Sequence, residues 1–223
     1  MGLLSVKEAK LITDWFQEKK YLLFTKPGDY NIIYIEGVNP DFTLNSDRFD
    51  VWNDLRIVLD HSASGEPAII FSAVATTEPG RASTFSEDTR KVGGVARVAF
   101  RQYLYKWAMG YHNYAETKTA HPALIQRRDE VIMVHRDVDR NGIRNGDPIS
   151  PATGINQHST APGAAPKLVG KYSAGCLVGL HWNEHIEFIN LLKTDNRYLK
   201  SPRFAYSTTI IPGDKLLSKK WTS

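Results

Sequence analysis

The chain has 223 residues, of which 42% are hydrophobic, and a formal net charge of +4. That is enough apolar side chain to build one large soluble globular domain. The basic residues are scattered, with no run of Lys/Arg and no nucleic-acid motif, so no nucleic-acid partner is expected; a mild positive charge fits an anionic polymer as well as an ordinary solvated surface. A single cysteine excludes an intramolecular disulfide and a multi-cysteine zinc site, and leaves its thiol as either core filler or nucleophile. The first residues lack the basic and apolar regions of a signal peptide, and no stretch reaches the length of a membrane span. Synthesis in the cytoplasm without membrane insertion is the corresponding expectation.

In chain order, Ser5 and Glu8 form a capping box, and Val6, Ala9, Ile12, Trp15 and Phe16 recur at helical spacing. Residues 6–20 are therefore expected to form an amphipathic helix whose stripe packs on the rest of the chain, with 1–22 as an N-terminal helical element and 23–223 as the main domain. Residues 21–25, 30–36, 55–59 and 68–75 are rich in Ile, Val, Tyr and Phe and are separated by turn clusters such as Pro27-Gly28-Asp29 and Asn39-Pro40-Asp41. They read as strands. Residues 45–52 read as a loop or helical turn, Thr76-Thr77-Glu78-Pro79-Gly80 as a turn, and 93–101, 102–108 and 131–135 as further strands. The Asp/Asn/Gly alternation over 136–147 has the look of a calcium loop, but no glutamate stands at its twelfth position and arginines flank it, which favours an Asx-rich turn. Asn183 is expected to cap a helix with Ile186, Phe188, Ile189, Leu191 and Leu192 as its apolar face, and 204–211 to form the last strand. The fold class is mainly β (α+β), with an N-terminal helix and a peripheral helix before the last strand.

The stretch 154–179 carries the chemistry. It holds Gly154-Ile155-Asn156-Gln157-His158-Ser159, a loop of small residues, and Ser173-Ala174-Gly175-Cys176; the histidine precedes the cysteine by eighteen residues. Such a pair could form a Cys/His nucleophilic site in a hairpin-like excursion, with His158 as base and amide N–H groups around Gly175 and Cys176 as an oxyanion hole. The same residue types also fit a buried structural cysteine. A thiol pKa well below about 8.5 would mark an activated thiolate.

A histidine, a loop and then Ser-x-Gly-Cys resembles the signature of the L,D-transpeptidase (YkuD-like) catalytic domain of peptidoglycan enzymes. Thr76-Thr77-Glu78-Pro79-Gly80, Gly110-Tyr111-His112, Pro122-Ala123-Leu124-Ile125-Gln126 and His135 to Gly142 resemble a divergent branch of that family, so the likeness spans residues 30–212. It implies a β-sandwich catalytic domain and a mechanism without cofactor or metal. Cys176 would be the nucleophile, His158 its proton acceptor, and Ser159 would orient His158 through its carbonyl. Ser173, Ala174, Gly175 and the Cys176 amide would shape the oxyanion site, with His112 as a further pocket residue. Ala174 and Val178 stand where the family usually carries polar groups. Peptidoglycan is the partner implied. The expected function is a stem-peptide hydrolase of endolysin type acting at the bacterial wall after release or as part of a virion; the alternatives are L,D-transpeptidation and a non-catalytic wall-binding or virion structural role. His61, His121, His135, His181 and His185 carry no assigned role.

Overall fold

The computed structural model describes residues 6–113 and 120–218. Ser5 of the expected capping box lies outside the described residues. The helix α1 (Val6–Lys19) is followed by β1 (Asn31–Glu36), β2 (Asp54–His61), β3 (Pro67–Thr76), the short helices α2 (Arg81–Thr84) and α3 (Glu87–Lys91), and β4 (Val95–Val98). Then come β5 (Gln102–His112), β6 (His121–Gln126), β7 (Ile132–Asp137), β8 (Ile149–Ala152), β9 (Gln157–Ser159) and β10 (Leu177–Gly179). The last elements among the described residues are α4 (Trp182–Leu192), α5 (Asn196–Lys200), β11 (Ala205–Pro212) and α6 (Gly213–Ser218).

The chain is mainly β, as its composition implies, but the main sheet is not one layer of a sandwich. It closes on itself as a barrel in the order β1-β11-β5-β6-β9-β10-β3-β2, and β4-β7-β8 form a separate three-stranded sheet. Parallel pairing of β1 with β11 contributes to the closure, and register shifts at Val58/Leu59 and Tyr206/Thr208 mark irregularities of the kind that let strands bend.

Every residue of β1 is buried, because both faces of this strand are covered. Ile32 and Tyr34 join a cluster with Val58, Trp107, Leu177 and Phe188, whereas Ile33 and Ile35 join Leu55, Ile57 and Leu59 under α1. Strand periodicity then decides the neighbours: in β2 the residues between Leu55, Ile57 and Leu59 face the other way, so Arg56 and Val58 point to the inner cluster. The stripe Ala9, Ile12, Trp15 and Phe16 lies over β3 and joins one cluster with Ile33, Ile35, Leu55 and Ile57, so the N-terminal helix shares a core with the barrel.

Two further expectations need correction. Residues 21–25 are extended but are not a strand of the sheet. Side-chain amides satisfy them instead: Leu22 N–H donates to Gln102 Oε1, Gln102 Nε2 donates to Leu22 O, and Asn31 makes the same two bonds with Phe24. Asn183 does not cap α4; the helix begins at Trp182, and His181 takes the cap position without a side-chain cap bond. Residues 121–126, assigned no element from the sequence, form β6, and Pro122 pairs in register with Tyr111.

The 136–147 segment is the Asx-rich turn. Asp137 accepts the N–H groups of Asn141 and Gly142, Asp139 accepts from Asn141, and Asn141 accepts from Ile143 N–H. These oxygens are held by the turn itself.

Because Ile12 is fully buried against the outer face of the barrel, Ile12→Ala should lower the unfolding free energy by about 2–5 kcal/mol. Chemical denaturation measures this directly; a change below about 0.5 kcal/mol, the range of an ordinary surface substitution, would mean that α1 is not part of the folded core.

Candidate functional site

β9 and β10 run parallel, with Gln157 opposite Leu177, His158 opposite Val178 and Ser159 opposite Gly179. The expected hairpin-like excursion is therefore a crossover, since neighbouring parallel strands cannot be joined by a tight turn. The pairing places His158 two residues in register from Cys176, which lies just before β10. Leu177 N–H donates to Asn156 O, so the alignment extends to the residues beside the cysteine.

The approach to Cys176 is tied down at each step. Gly80 N–H donates to Ser173 O at 2.9 Å and Ala96 N–H donates to Ala174 O at 3.0 Å. Ser173 Oγ donates to Cys176 O at 2.9 Å and accepts Gly175 N–H at 3.1 Å. The Gly175 amide therefore already has a partner, and the contribution of Gly175 is conformational. Its φ is +147°, and a Cβ there would lie 2.7 Å from Ala96 Cβ and 3.0 Å from Ala96 O. Ala174 is exposed and Val178 fully buried.

Cys176 is half-buried. Its Sγ accepts Asn156 N–H at 3.4 Å, and its thiol lies 3.6 Å from Gly154 O, the only role for a carbonyl there being that of acceptor. Burial pushes the thiol up to about 11, opposed only by the Asn156 N–H. The resting group is a thiol and not the low-pKa thiolate that an activated cysteine would show.

His158 is buried and its Nδ1 lies 2.9 Å from Ser159 O. A carbonyl can only accept, so Nδ1 carries the proton and Nε2 carries the lone pair. His112 stacks flat on it, with ring centroids 3.8 Å apart and planes 5° from parallel. Asn156 orients His112: its Oδ1 is taken by Gln126 N–H, so its Nδ2 is the donor toward His112 Nδ1 at 3.3 Å, which leaves Nε2–H on His112 as a free donor direction. Burial lowers His158 to about 3 and His112 to about 4, and in each case neighbouring imidazoles lower it further. Both rings are neutral near pH 7.

Two histidines to which the sequence assigned no role belong to the same cluster. His121 faces His112 across the β5–β6 pair and its Nε2 accepts Ser159 N–H at 3.2 Å. His185, on α4, lies 5.9 Å centroid to centroid from His121. Asn156, which touches both Cys176 and His112, was also unassigned. The signal for His121 is its register with His112, which no linear spacing reveals. His61 and His135 lie on β2 and β7, and His181 takes the cap position of α4 beside Trp182, whose ring packs against His121 at 5.2 Å between centroids.

A cavity of about 310 Å³ opens onto the imidazoles, lined by His112, His121, His158, Thr160, Lys171 and Tyr172 among others. A larger one of about 420 Å³ lies between Glu36, Glu78, Arg97 and Arg144. Its acids are engaged: Arg144 pairs with Glu36, and Arg97 Nε lies 3.3 Å from Glu78 Oε1. Burial raises Glu78 to about 8 against the opposing pull of Arg97. Glu36, Asp47 and Glu78 could approach a cation together, but two guanidiniums already share that space. The imidazoles of His112, His121 and His158 face the smaller cavity, and Cys176 is not among the residues that line it.

Neutral buried histidines make acid stability fall in a defined window. The unfolded chain binds protons near the ordinary histidine pKa of about 6.5, whereas folded His112 does so only near 4. Their contribution is thus complete above about 6.5 and is lost as pH falls toward 4. The raised acids act with the opposite sign, so the test is differential: in His112→Phe the loss of unfolding free energy between these pH values should be shallower than in wild type, by denaturant titration at each pH. An equal slope would show that His112 is not held neutral by the fold.

Comparison of the chain with protein-family models, with curated proteins and with solved structures finds no match, and the arrangement of Cys176, His158, Ser159 and the imidazoles around them stands on its own geometry.

Proposed function

We propose that the protein is a cysteine-dependent hydrolase of peptidoglycan stem peptides, of endolysin type, acting through a thioester acyl-enzyme. The observation that carries this reading is the tautomer of His158: with Nδ1–H donated to Ser159 O, its Nε2 is an unprotonated base on the strand beside Cys176. The likeness of Ser173-Ala174-Gly175-Cys176 to the L,D-transpeptidase signature supplies the substrate class.

In the first step Cys176 Sγ attacks the peptide carbonyl as its proton passes to His158 Nε2. The C–S bond forms, the C–N bond then breaks, and His158 returns the proton to the departing amine. Water attacks the thioester with His158 again accepting a proton, the C–S bond breaks, and the thiol is restored. With the thiol raised to about 11 and the imidazole lowered to about 3, both groups rest neutral, so in this reading proton transfer accompanies attack and does not precede it. The Cys176 amide is the oxyanion donor in this reading, since that of Gly175 is engaged by Ser173. His112 Nε2–H is a second donor facing the cavity. Val178, buried and apolar where the resembled family places a polar group, offers nothing to hold a second peptide, which supports water over an amine as acceptor.

The raised thiol is the observation that favours a second reading, a wall-binding or virion structural protein with a structural cysteine. Purified sacculi separate the readings. Cys176→Ala and His158→Gln should each lower product release by on the order of 10³-fold or more, and mass spectrometry should find new amine and carboxyl termini. Dimeric muropeptides would indicate L,D-transpeptidation instead. Equal release by wild type and Cys176→Ala would remove the catalytic reading.

The proposed chemistry requires no metal. Activity should persist in EDTA at wild-type rate, measured in the same assay; its loss would contradict the mechanism.

A further inference from the structure

The cavity beside the imidazoles is uneven in charge. Among the described residues that line it are His112, His121, His158, Lys171 and Tyr172, and no carboxylate. Burial keeps His112 and His158 neutral near pH 7, and His121 is neutral because its Nε2 accepts Ser159 N–H. Lys171 is therefore the single formal charge on the wall. The Thr160 hydroxyl donates to Leu180 O at 2.7 Å and that of Ser159 to Gly179 O at 3.4 Å. Lys171 Nζ makes no ion pair, and Tyr172 Oη no hydrogen bond, with any described residue.

The segment that carries these two groups is fixed. Asp50 is buried; its Oδ1 accepts Gly170 N–H at 2.6 Å and its carbonyl accepts Val169 N–H at 3.1 Å. Tyr172 N–H donates to Val169 O at 3.0 Å, and Ser83 N–H donates to Gly170 O at 3.3 Å. Gly80 packs so closely that a Cβ on it would lie 2.2 Å from that same oxygen. The Tyr172 ring rests against Trp52, with centroids 6.3 Å apart. An exposed lysine on a free loop is an ordinary solvated cation, whereas the backbone of Lys171 is anchored on both sides at the wall of a cavity.

We propose that this cavity is a subsite for a substrate carboxylate, received by Lys171 Nζ and Tyr172 Oη beside His112 Nε2–H, and that the protein selects peptides carrying a free carboxylate next to the bond that is cut. The inference rests on the hydrolase reading for the peptide, while the subsite follows from the cavity alone. A monoanion is the class that fits. One ammonium balances one carboxylate, whereas a phosphate brings about 1.5–2 negative charges near pH 7 and leaves the excess unpaired. A cavity wall also excludes part of the solvent that makes exposed ion pairs weak. His158 lines the same cavity and, through the β9–β10 register, lies two residues from Cys176, so a carboxylate held here belongs to a residue beside the scissile bond. It is either the C-terminal carboxylate of that residue or one on its side chain.

Titration of the full chain with N-acetylalanine and, separately, with N-acetylalaninamide tests this, read by ¹⁵N–¹H NMR of the His112 and His158 rings. A Cys176→Ala background keeps turnover out of the measurement. The acid should move both rings saturably and the amide should not. Adding Lys171→Met should weaken binding of the acid on the order of tenfold or more, and Lys171→Arg should retain it; Lys171 is exposed, so neither change disturbs the core. Equal binding of acid and amide, equal binding with and without Lys171→Met, no movement with either compound, or tighter binding of inorganic phosphate than of the acid would overturn the proposal. Synthetic stem peptides then identify the source of the carboxylate. Amidating the C-terminus should lower kcat/KM if the terminal carboxylate is held, and amidating the side chain if that one is; Lys171→Met should lower kcat/KM only for peptides that keep the held group. A kcat/KM indifferent to both amidations would contradict the selection. If no stem peptide is cut, the hydrolase reading fails, and the NMR titration still decides the subsite.

Discussion

The parallel pairing of β9 with β10 is the constraint on which the rest of the site depends. Two strands of three residues each would be marginal alone, and they hold because β3 and β6 flank them within a closed barrel. Parallel neighbours demand a long connection, and the chain from Thr160 to Cys176 is that connection. It cannot wander, because Gly80 and Ala96 fix Ser173 and Ala174 by backbone bonds, and because a side chain on Gly175 would collide with Ala96. The thiol and the imidazole are thus positioned by sheet register and by one tight crossover, not by a local turn.

Desolvation then sets the chemistry. The same burial that orders the imidazoles raises the thiol and lowers His158, so the resting site holds no thiolate–imidazolium pair. A neutral base with its lone pair on Nε2 suits an attack in which the proton moves as the C–S bond forms. The stacking of His112 on His158 at 3.8 Å depends on that neutrality, because two imidazolium rings at this separation would repel. Acidification that protonates the cluster removes the stability the neutral histidines contribute and, in the proposed reaction, the base as well.

Much of the fold was legible because its signals are local. The helix over the first residues follows from a stripe at helical spacing, and β1 to β3 follow from β-branched runs between turn clusters. What failed was non-local. The 21–25 stretch has strand composition, yet its partners are the amides of Gln102 and Asn31, which no periodicity announces. Barrel closure depends on β1 meeting β11 across most of the chain. At the site, His158, Ser159, Ser173, Gly175 and Cys176 cluster in sequence and could be read from it. His121, Asn156 and His185 could not, since a cross-strand register, an amide bridge and a helix packed on the barrel bring them in. The raised thiol is not readable from residue types either, because desolvation depends on the packing around Cys176.

In the proposed reaction Cys176 takes an acyl group with His158 as its base. Intact-protein mass spectrometry after brief exposure to stem peptides, followed by peptide mapping, tests it most directly. A thioester adduct on Cys176 should form in wild type, fail to accumulate in His158→Gln and be absent from Cys176→Ala. Cell-wall turnover with no adduct on Cys176, or with an adduct on another residue, would contradict it.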